Sequence, residues 1–153
     1  MTPSGRTNQL LYQAELLLAV PAGDDEHAMS RRMASEEGAL ALIELALNSA
    51  LRELTEHARL PRHDWRELLV SGARPVAELT QLAELAAKPD SWLAWLLGRL
   101  EALHSVDGAA RREEASPMTI AVAGQRPLGD ELSGCLVEFK ATLARLRETS
   151  VEW

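Results

Sequence analysis

The sharpest pattern of chemistry-bearing residues is a glutamate three positions before a histidine, Glu101 and His104. On a helix this spacing places a carboxylate and an imidazole side by side, as metal-binding helical bundles require. A two-metal bundle also needs a second such step and single glutamates from two further helices. Asp24 precedes His27 by three residues but stands at the start of a helix, and Glu44 is a lone carboxylate among apolar neighbours. Glu101 and His104 are therefore candidate metal ligands in an incomplete set.

An arginine five positions before a histidine occurs twice, as Arg52 with His57 and as Arg99 with His104. This spacing resembles the signature of helical-bundle ribonucleases that act as dimers. In those enzymes the histidine assists proton transfer and the arginine stabilises the charge of the phosphate. A small polar residue typically follows the arginine there, whereas a glutamate and a leucine follow it here. The resemblance implies these four residues as catalytic candidates for RNA cleavage.

The remaining sequence offers little for catalysis. The single cysteine, Cys135, falls on an apolar helical seam with no histidine nearby in sequence, which is typical of packing rather than nucleophilic chemistry. We find no glycine-rich phosphate loop, no cysteine pair and no zinc-protease motif, so no cofactor is predicted. A lone cysteine cannot form an internal disulfide, which favours a cytoplasmic protein.

Size and composition predict one soluble folded domain over residues 1–153, because 46% of the residues are apolar and 25% are charged. No uncharged apolar run of about 18 residues is present, so we expect no membrane-spanning helix. The net charge of −7 argues against binding to nucleic acid or to anionic lipid.

Prolines and glycines divide the chain into helices joined by short turns. The second predicted helix is the longest and is apolar nearly all round at residues 39–47, which predicts a central position in a bundle; Glu44 falls on its polar, water-facing stripe. Gly98, inside the fifth helix, predicts close approach of another backbone. The predicted helices cover about residues 7–20, 24–59, 64–70, 75–87 and 91–106, with a last one after residue 130.

Two segments before the last helix have a different character. Residues 107–117 mix small, charged and helix-breaking residues and predict a mobile linker. Residues 118–123 alternate like a strand but have no partner strand in the chain, so they form either a strap across the bundle or a pair with a second subunit. The predicted fold is an all-α antiparallel bundle of about three to four long helices plus two short ones, with one isolated extended segment near 118–123.

Several short fragments, in order along nearly the whole chain, resemble an uncharacterised family of small helical bacterial proteins, a domain of unknown function. That resemblance implies a helical fold and a bacterial cytosolic origin, and it carries no established activity, ligand or site. The fragments are Arg6-Thr7-Asn8-Gln9, Leu11-Tyr12, Leu60-Pro61, Pro89-Asp90-Ser91-Trp92-Leu93, Ile120-Ala121-Val122, Leu146-Arg147-Glu148 and Glu152-Trp153.

The first functional hypothesis is a non-enzymatic interaction or accessory protein. Residues that could perform catalysis are not clustered in the sequence, and the predicted helices offer mainly surfaces for binding. The partner is another protein or a second copy. The tryptophans either pack in the core or, because tryptophan is enriched at binding hot spots, supply the candidate contacts: Trp92, Trp95 and Trp153. The alternative is a helical-bundle enzyme, either the ribonuclease or the metal protein described above.

Overall fold

A computed structural model of the chain describes residues 1–71, 76–110 and 126–151. Within these ranges the chain forms five α-helices and no β-strand, so the all-α prediction is confirmed, and no helix there is long and apolar enough to cross a membrane. A 3₁₀ turn (Glu56–Ala58) and a π-helical turn (Arg66–Ser71) lie between the second and third α-helices. The α-helices are α1 (Pro3–Leu18), α2 (Ala28–Leu54), α3 (Ala77–Ala87), α4 (Trp92–Leu103) and α5 (Leu128–Val151).

The second helix, α2, occupies the centre of the bundle because it packs against each of the other four α-helices. Its buried residues recur at three- and four-residue steps, as the apolar pattern predicts. Apart from one glutamate, they all join a hydrophobic core that includes residues from every α-helix. These buried residues are Glu36, Ala39, Leu40, Ile43, Ala46, Leu47, Ala50, Leu51 and Leu54.

The first helix, α1, lies along α2 and begins earlier than predicted. Thr2 caps it by accepting a hydrogen bond from the Gly5 N–H at 3.0 Å, and Pro3 occupies the first turn, where a missing N–H is harmless. The side-chain oxygens of Thr7 and Ser49 lie 2.7 Å apart and join the two helices. Because Thr2 and Pro3 begin the helix, Thr7 lies inside it and not at its start.

Two glycines within helices have different surroundings. A Cβ built at Gly38 would lie 2.9 Å from Leu17 Cδ2, so a glycine there permits the close packing of α1 on α2. Gly98 is exposed on α4, and a Cβ built there meets no atom within 4 Å. The predicted close approach of another backbone at Gly98 is therefore wrong.

The long second helix is shorter than predicted at both ends. At its start Asp25 Oδ1 accepts a hydrogen bond from the His27 N–H at 3.0 Å, so Asp25 closes a turn ahead of the helix instead of capping it. At its end Thr55 Oγ1 donates to the Leu51 carbonyl at 2.6 Å, and the chain passes into the 3₁₀ turn. Arg59, with φ +49°, ends that turn in the left-handed region.

The start of the predicted mobile linker is fixed to α2. Glu37 Oε1 accepts hydrogen bonds from the N–H groups of Ala109 and Ala110 at 3.0 and 3.1 Å, and both alanines are buried. The carboxylate thus satisfies the backbone donors of two residues that lie within the predicted mobile linker. Residues 111–117, the predicted extended segment 118–123 and Trp153 lie outside the described residues.

The last helix, α5, closes the bundle with the predicted apolar seam. Glu36 Oε2 accepts a hydrogen bond from the Gly129 N–H at 2.8 Å and so anchors the first turn of α5 to α2. Because all five predicted seam residues are buried in the core, this part of the sequence prediction is confirmed. The seam comprises Leu132, Leu136, Phe139, Leu143 and Leu146.

Candidate functional site

Glu44 lies at the centre of the most connected group of polar side chains. Its Oε2 accepts a hydrogen bond from Trp65 Nε1 at 2.8 Å, and its two oxygens lie 2.8 and 3.0 Å from His104 Nε2. The Glu44 side chain is 16% exposed, whereas that of His104 is 50% exposed. The prediction that Glu44 faces water is therefore wrong, because the indole and the end of α4 cover it.

Neighbouring side chains extend this group. Asn48, one turn further along α2, accepts a hydrogen bond from the Trp65 N–H at 3.0 Å. The Arg66 guanidinium stacks over the Trp65 ring at 4.4 Å, and its Nε lies 3.4 Å from Glu101 Oε1. We call Glu44, Asn48, Trp65, Arg66, Glu101 and His104 the Glu44 cluster.

The Glu44 cluster joins α2, the π-helical turn and the end of α4. A carboxylate that holds a histidine can orient a general base, but catalysis also requires a concave site for the substrate. The grooves of about 210, 220 and 170 Å³ in the described surface lie between α3 and α5 or between α1 and α5, and no residue of the cluster lines them. The contacts of the cluster clamp the π-helical turn and the end of α4 against α2.

The two candidate metal ligands contact different side chains. Glu101 faces Arg66, while His104 contacts Glu44 from a different helix. Among the described residues, no group of three or more histidine, cysteine, aspartate or glutamate side chains is placed to hold a metal ion. These positions do not form the carboxylate-rich centre that the metal hypothesis requires.

The two arginine–histidine pairs are placed differently from one another. Arg52 is exposed on α2, and His57 is exposed in the 3₁₀ turn beyond the end of that helix. A step of five residues turns the helix through about 140°, so Arg99 and His104 point to different sides of α4. Arg99 is partly buried, and its Nε is shielded from solvent without a hydrogen-bond partner.

A different histidine lies in the electrostatic field of Arg52. Burial lowers the pKa of His63, and the nearby positive charge of Arg52 lowers it further. The charge of Arg52 therefore acts on His63, and the arginine–histidine spacing pattern had paired Arg52 with His57 instead. No spacing in the sequence indicates the interaction between Arg52 and His63.

The two tryptophans of α4 contact the core. Trp92 Nε1 donates to Thr142 Oγ1 at 3.1 Å, and its ring centroid lies 5.2 Å from that of Phe139. Trp95 is also partly buried and packs against the core. Both side chains thus contribute to packing within the bundle, and neither extends fully from the surface as a partner contact.

Cys135 has the environment of a packing residue. It is 5% exposed, and burial, with a smaller contribution from the charge of Glu138, raises its pKa to about 12. The thiol stays protonated at neutral pH and is a poor nucleophile.

We expect a thiol-specific reagent at pH 8 to modify Cys135 about a thousandfold more slowly than an ordinary cysteine, because the raised pKa lowers the thiolate fraction. Absorbance-monitored labelling of the native chain measures this rate, and labelling in denaturant supplies the unfolded reference. The variant Leu45→Cys, whose introduced thiol is at an exposed position, is the folded control. Equal native rates at the two thiols would contradict the prediction.

Large apolar side chains are exposed on α1 and just beyond its C-terminal end, and we call them the α1 ridge: Tyr12, Leu16 and Val20. They are 59%, 50% and 57% exposed, respectively. Tyr12 and Leu16 lie four residues apart on one side of α1. Val20 follows the last helical residue, Leu18, by two positions, and its N–H donates to the Leu17 carbonyl at 3.3 Å. The four-residue spacing of these side chains is visible in the sequence, but the inward-facing leucines beside them make the exposed residues hard to distinguish from the core.

Shallow grooves border one side of the α1 ridge, where α1 meets α5. Tyr12 lines a groove of about 220 Å³ together with Lys140. A second groove of about 170 Å³ lies further along, against Leu18 and Leu136. The ion pair between Glu15 and Lys140 crosses the crevice between the two helices. The apolar surface is therefore continued by concave surface on the α5 side.

These features define an all-α helical-bundle protein with a partly exposed polar clamp and an exposed apolar ridge. The chain belongs to DUF6586, a family of unknown function, whose model matches residues 1–153. The resemblance to a helical domain of unknown function is thereby confirmed. Neither the curated proteins nor the solved structures contain a match to the chain.

Proposed function

We propose that this protein is a non-enzymatic accessory protein that binds a protein partner through the α1 ridge. The observation that carries the proposal is the exposure of Tyr12, Leu16 and Val20, spaced by four residues: the first two share one face of α1, Val20 lies just past its end, and each is at least half exposed. Other large apolar side chains that are more than half exposed in the described part of the chain lie at scattered positions: Met1, Leu45, Val70, Val106 and Val137. Scattered exposed apolar residues are ordinary, whereas an aligned set favours an interaction site.

The packing of α1 supports this proposal because a rigid surface loses little entropy on binding. Arg147 on α5 forms a two-pronged ion pair with Glu53 on α2 and reaches the Ser4 carbonyl of α1 at 3.4 Å. The close packing at Gly38 holds the other end of α1. The ridge is therefore presented by a helix that is fixed along its length, and Tyr12 has the aromatic character enriched at protein interfaces.

The overall charge supports a protein partner. A net charge of −7 repels nucleic acid and anionic lipid, and it permits contact with neutral or basic protein surfaces. We place the function in the bacterial cytoplasm, on the basis of the fragments shared with the family and the single, buried cysteine.

Affinity capture with the tagged full-length chain from a lysate of its own host tests the proposal. We compare the natural chain with Leu16→Glu, which puts a charge in the middle of the ridge. We expect the captured stoichiometric protein, including any untagged copy of the chain, to fall by about tenfold or more, as quantified by mass spectrometry.

The matched control is Leu45→Glu, because Leu45 on α2 is 51% exposed and Leu16 is 50% exposed. This control is expected to retain the captured protein at the natural level. Circular dichroism establishes that both variants are folded. Capture that is equal for all three chains, or absent from all three, would overturn the proposal.

A further inference from the structure

We propose that the partner of the α1 ridge is a second copy of the chain, bound with the two α1 helices antiparallel and a two-fold axis near Leu16. This inference rests on the proposed function and specifies its partner. The supporting observations are the symmetry of the ridge about Leu16 and the opposite charges at its two ends. An antiparallel two-fold contact presents the same patch from each copy, so each contact occurs twice.

The apolar side chains of the ridge are self-complementary under this arrangement. Tyr12 lies four residues before Leu16, and Val20 lies four residues after it. Val20 lies just beyond the end of α1, so the two-fold axis brings Tyr12 of one copy towards Val20 of the other, with the two Leu16 side chains meeting at the axis. The large tyrosine ring opposes the smaller valine in both halves, which allows the two surfaces to interlock.

The charges at the ends of the ridge are complementary under the same symmetry. Arg6, which is exposed, lies ten residues before Leu16, or about 15 Å along the helix. Its guanidinium contacts an uncharged group, Gln9 Oε1, at 2.6 Å. The exposed acidic residues Asp24 and Glu26 follow the other end of the ridge. The two-fold axis brings Arg6 of each copy towards the acidic end of the other.

The acidic end keeps a net negative charge within one chain. Asp25 pairs with Arg31, and Glu26 Oε1 lies 3.4 Å from His27 Nε2. One arginine thus faces three consecutive carboxylates, Asp24, Asp25 and Glu26, so this segment keeps an excess of acidic groups. A parallel arrangement would place Arg6 against Arg6 and acid against acid, so charge repulsion selects the antiparallel one.

The size of the ridge sets the strength of the contact. Three apolar side chains and a few charged groups from each copy bury less than the ~1,600 Å² of a standard stable interface. We therefore expect reversible association of the folded chains at micromolar concentrations. Because the charged groups are exposed, raising the salt concentration should weaken association.

Charge reversal with complementation tests the orientation. One variant carries Arg6→Glu, and the other carries Asp24→Arg together with Glu26→Arg. Each variant alone places like charges at both ends of a homodimer, so sedimentation equilibrium should show self-association weakened by about tenfold or more. In an equimolar mixture both ends become opposite in charge, and association should return to the natural level as a heterodimer. A mixture that associates no better than its separate components overturns the antiparallel arrangement.

Cysteine cross-linking tests the position of the axis. Leu16→Cys places two thiols next to each other across the proposed axis, within the roughly 4.4–6.8 Å Cα separation that a disulfide spans. Mild oxidation should convert most of this variant to a covalent dimer on a non-reducing gel. Leu45→Cys is the matched control, and the buried Cys135 adds little background. Equal cross-linking of the two variants would contradict the proposal.

The results separate this inference from the proposed function. Restored association in the charge-swapped mixture, together with selective cross-linking at residue 16, supports both. If the natural chain is monomeric at all concentrations while Leu16→Glu still abolishes capture of a different protein, this inference fails and the proposed function stands. If the chain is monomeric and capture does not depend on Leu16, both fail.

Discussion

Replacing Trp65 by alanine should lower the free energy of unfolding by about 3–5 kcal/mol, the largest effect we expect from a single substitution. Trp65 is 1% exposed, and its indole fills the space between the π-helical turn and α2. Removal of the ring leaves a cavity in the core and deprives the Glu44 carboxylate of one hydrogen-bond donor. Urea denaturation followed by circular dichroism measures the change without relying on tryptophan fluorescence.

Three further variants separate the contributions at this site. Trp65→Phe retains most of the volume but loses the indole N–H, so its cost should be about 1–2 kcal/mol. Trp95→Ala removes the same side chain from a partly buried position and should cost less than Trp65→Ala. His104→Ala should cost less than about 1 kcal/mol, because His104 is half exposed and solvent weakens its contact with Glu44. Equal losses of stability from Trp65→Ala and Trp95→Ala would contradict the structural role that we assign to Trp65.

The second large effect is expected at Glu36, whose replacement by alanine should cost about 3 kcal/mol. Glu36 is 3% exposed, and its two oxygens accept hydrogen bonds from Arg32 Nη1 and the Gly129 N–H, both at 2.8 Å. Substitution deprives a guanidinium of its buried carboxylate and removes the acceptor for the first turn of α5. We place the loss at the lower end of the range for buried pairs because the Arg32 side chain is 27% exposed.

The controls for Glu36→Ala test whether the Glu36 side chain acts as a hydrogen-bond acceptor. Glu36→Gln retains one oxygen and should cost about 1 kcal/mol, since the charge is lost but an acceptor for Gly129 remains. Glu84→Ala, at an exposed position on α3, should change stability by less than about 0.5 kcal/mol. Urea denaturation gives the energies, and hydrogen exchange of the Gly129 amide reports the anchor. Unchanged exchange in Glu36→Ala would show that the anchor does not fix α5.

These two sites have a common consequence for the proposed interaction surface. The Glu44 cluster and the Glu36 anchor both bind distant parts of the chain to α2, and α1 packs along the same helix. A destabilising substitution at either site could therefore weaken partner binding without touching the ridge. The Leu16→Glu variant avoids this ambiguity because its side chain points outward from the bundle.

The helical class and most of the apolar core can be predicted from the residue pattern alone. Leucine spacing in α5 predicts the seam from Leu132 to Leu146, and the apolar run of α2 predicts its central position. These predictions succeed because burying apolar surface requires one periodic face on each helix, and that periodicity can be read locally. Helix ends were less predictable, since Asp25 and Thr2 can each cap a helix or close a turn, and neighbouring groups decide which.

The contacts of the polar residues, in contrast, depend on how the helices pack together. Glu36, Glu37 and Glu44 have the composition of a solvated helix surface. Apart from Arg32, which lies one turn from Glu36, their partners come from distant residues: 65, 104, 109, 110 and 129. A carboxylate tolerates burial when distant donors satisfy it, and helical spacing contains no information about those donors. The exposure of the α1 ridge also depends on the tertiary structure, because the packing of the other helices determines which face of α1 is covered.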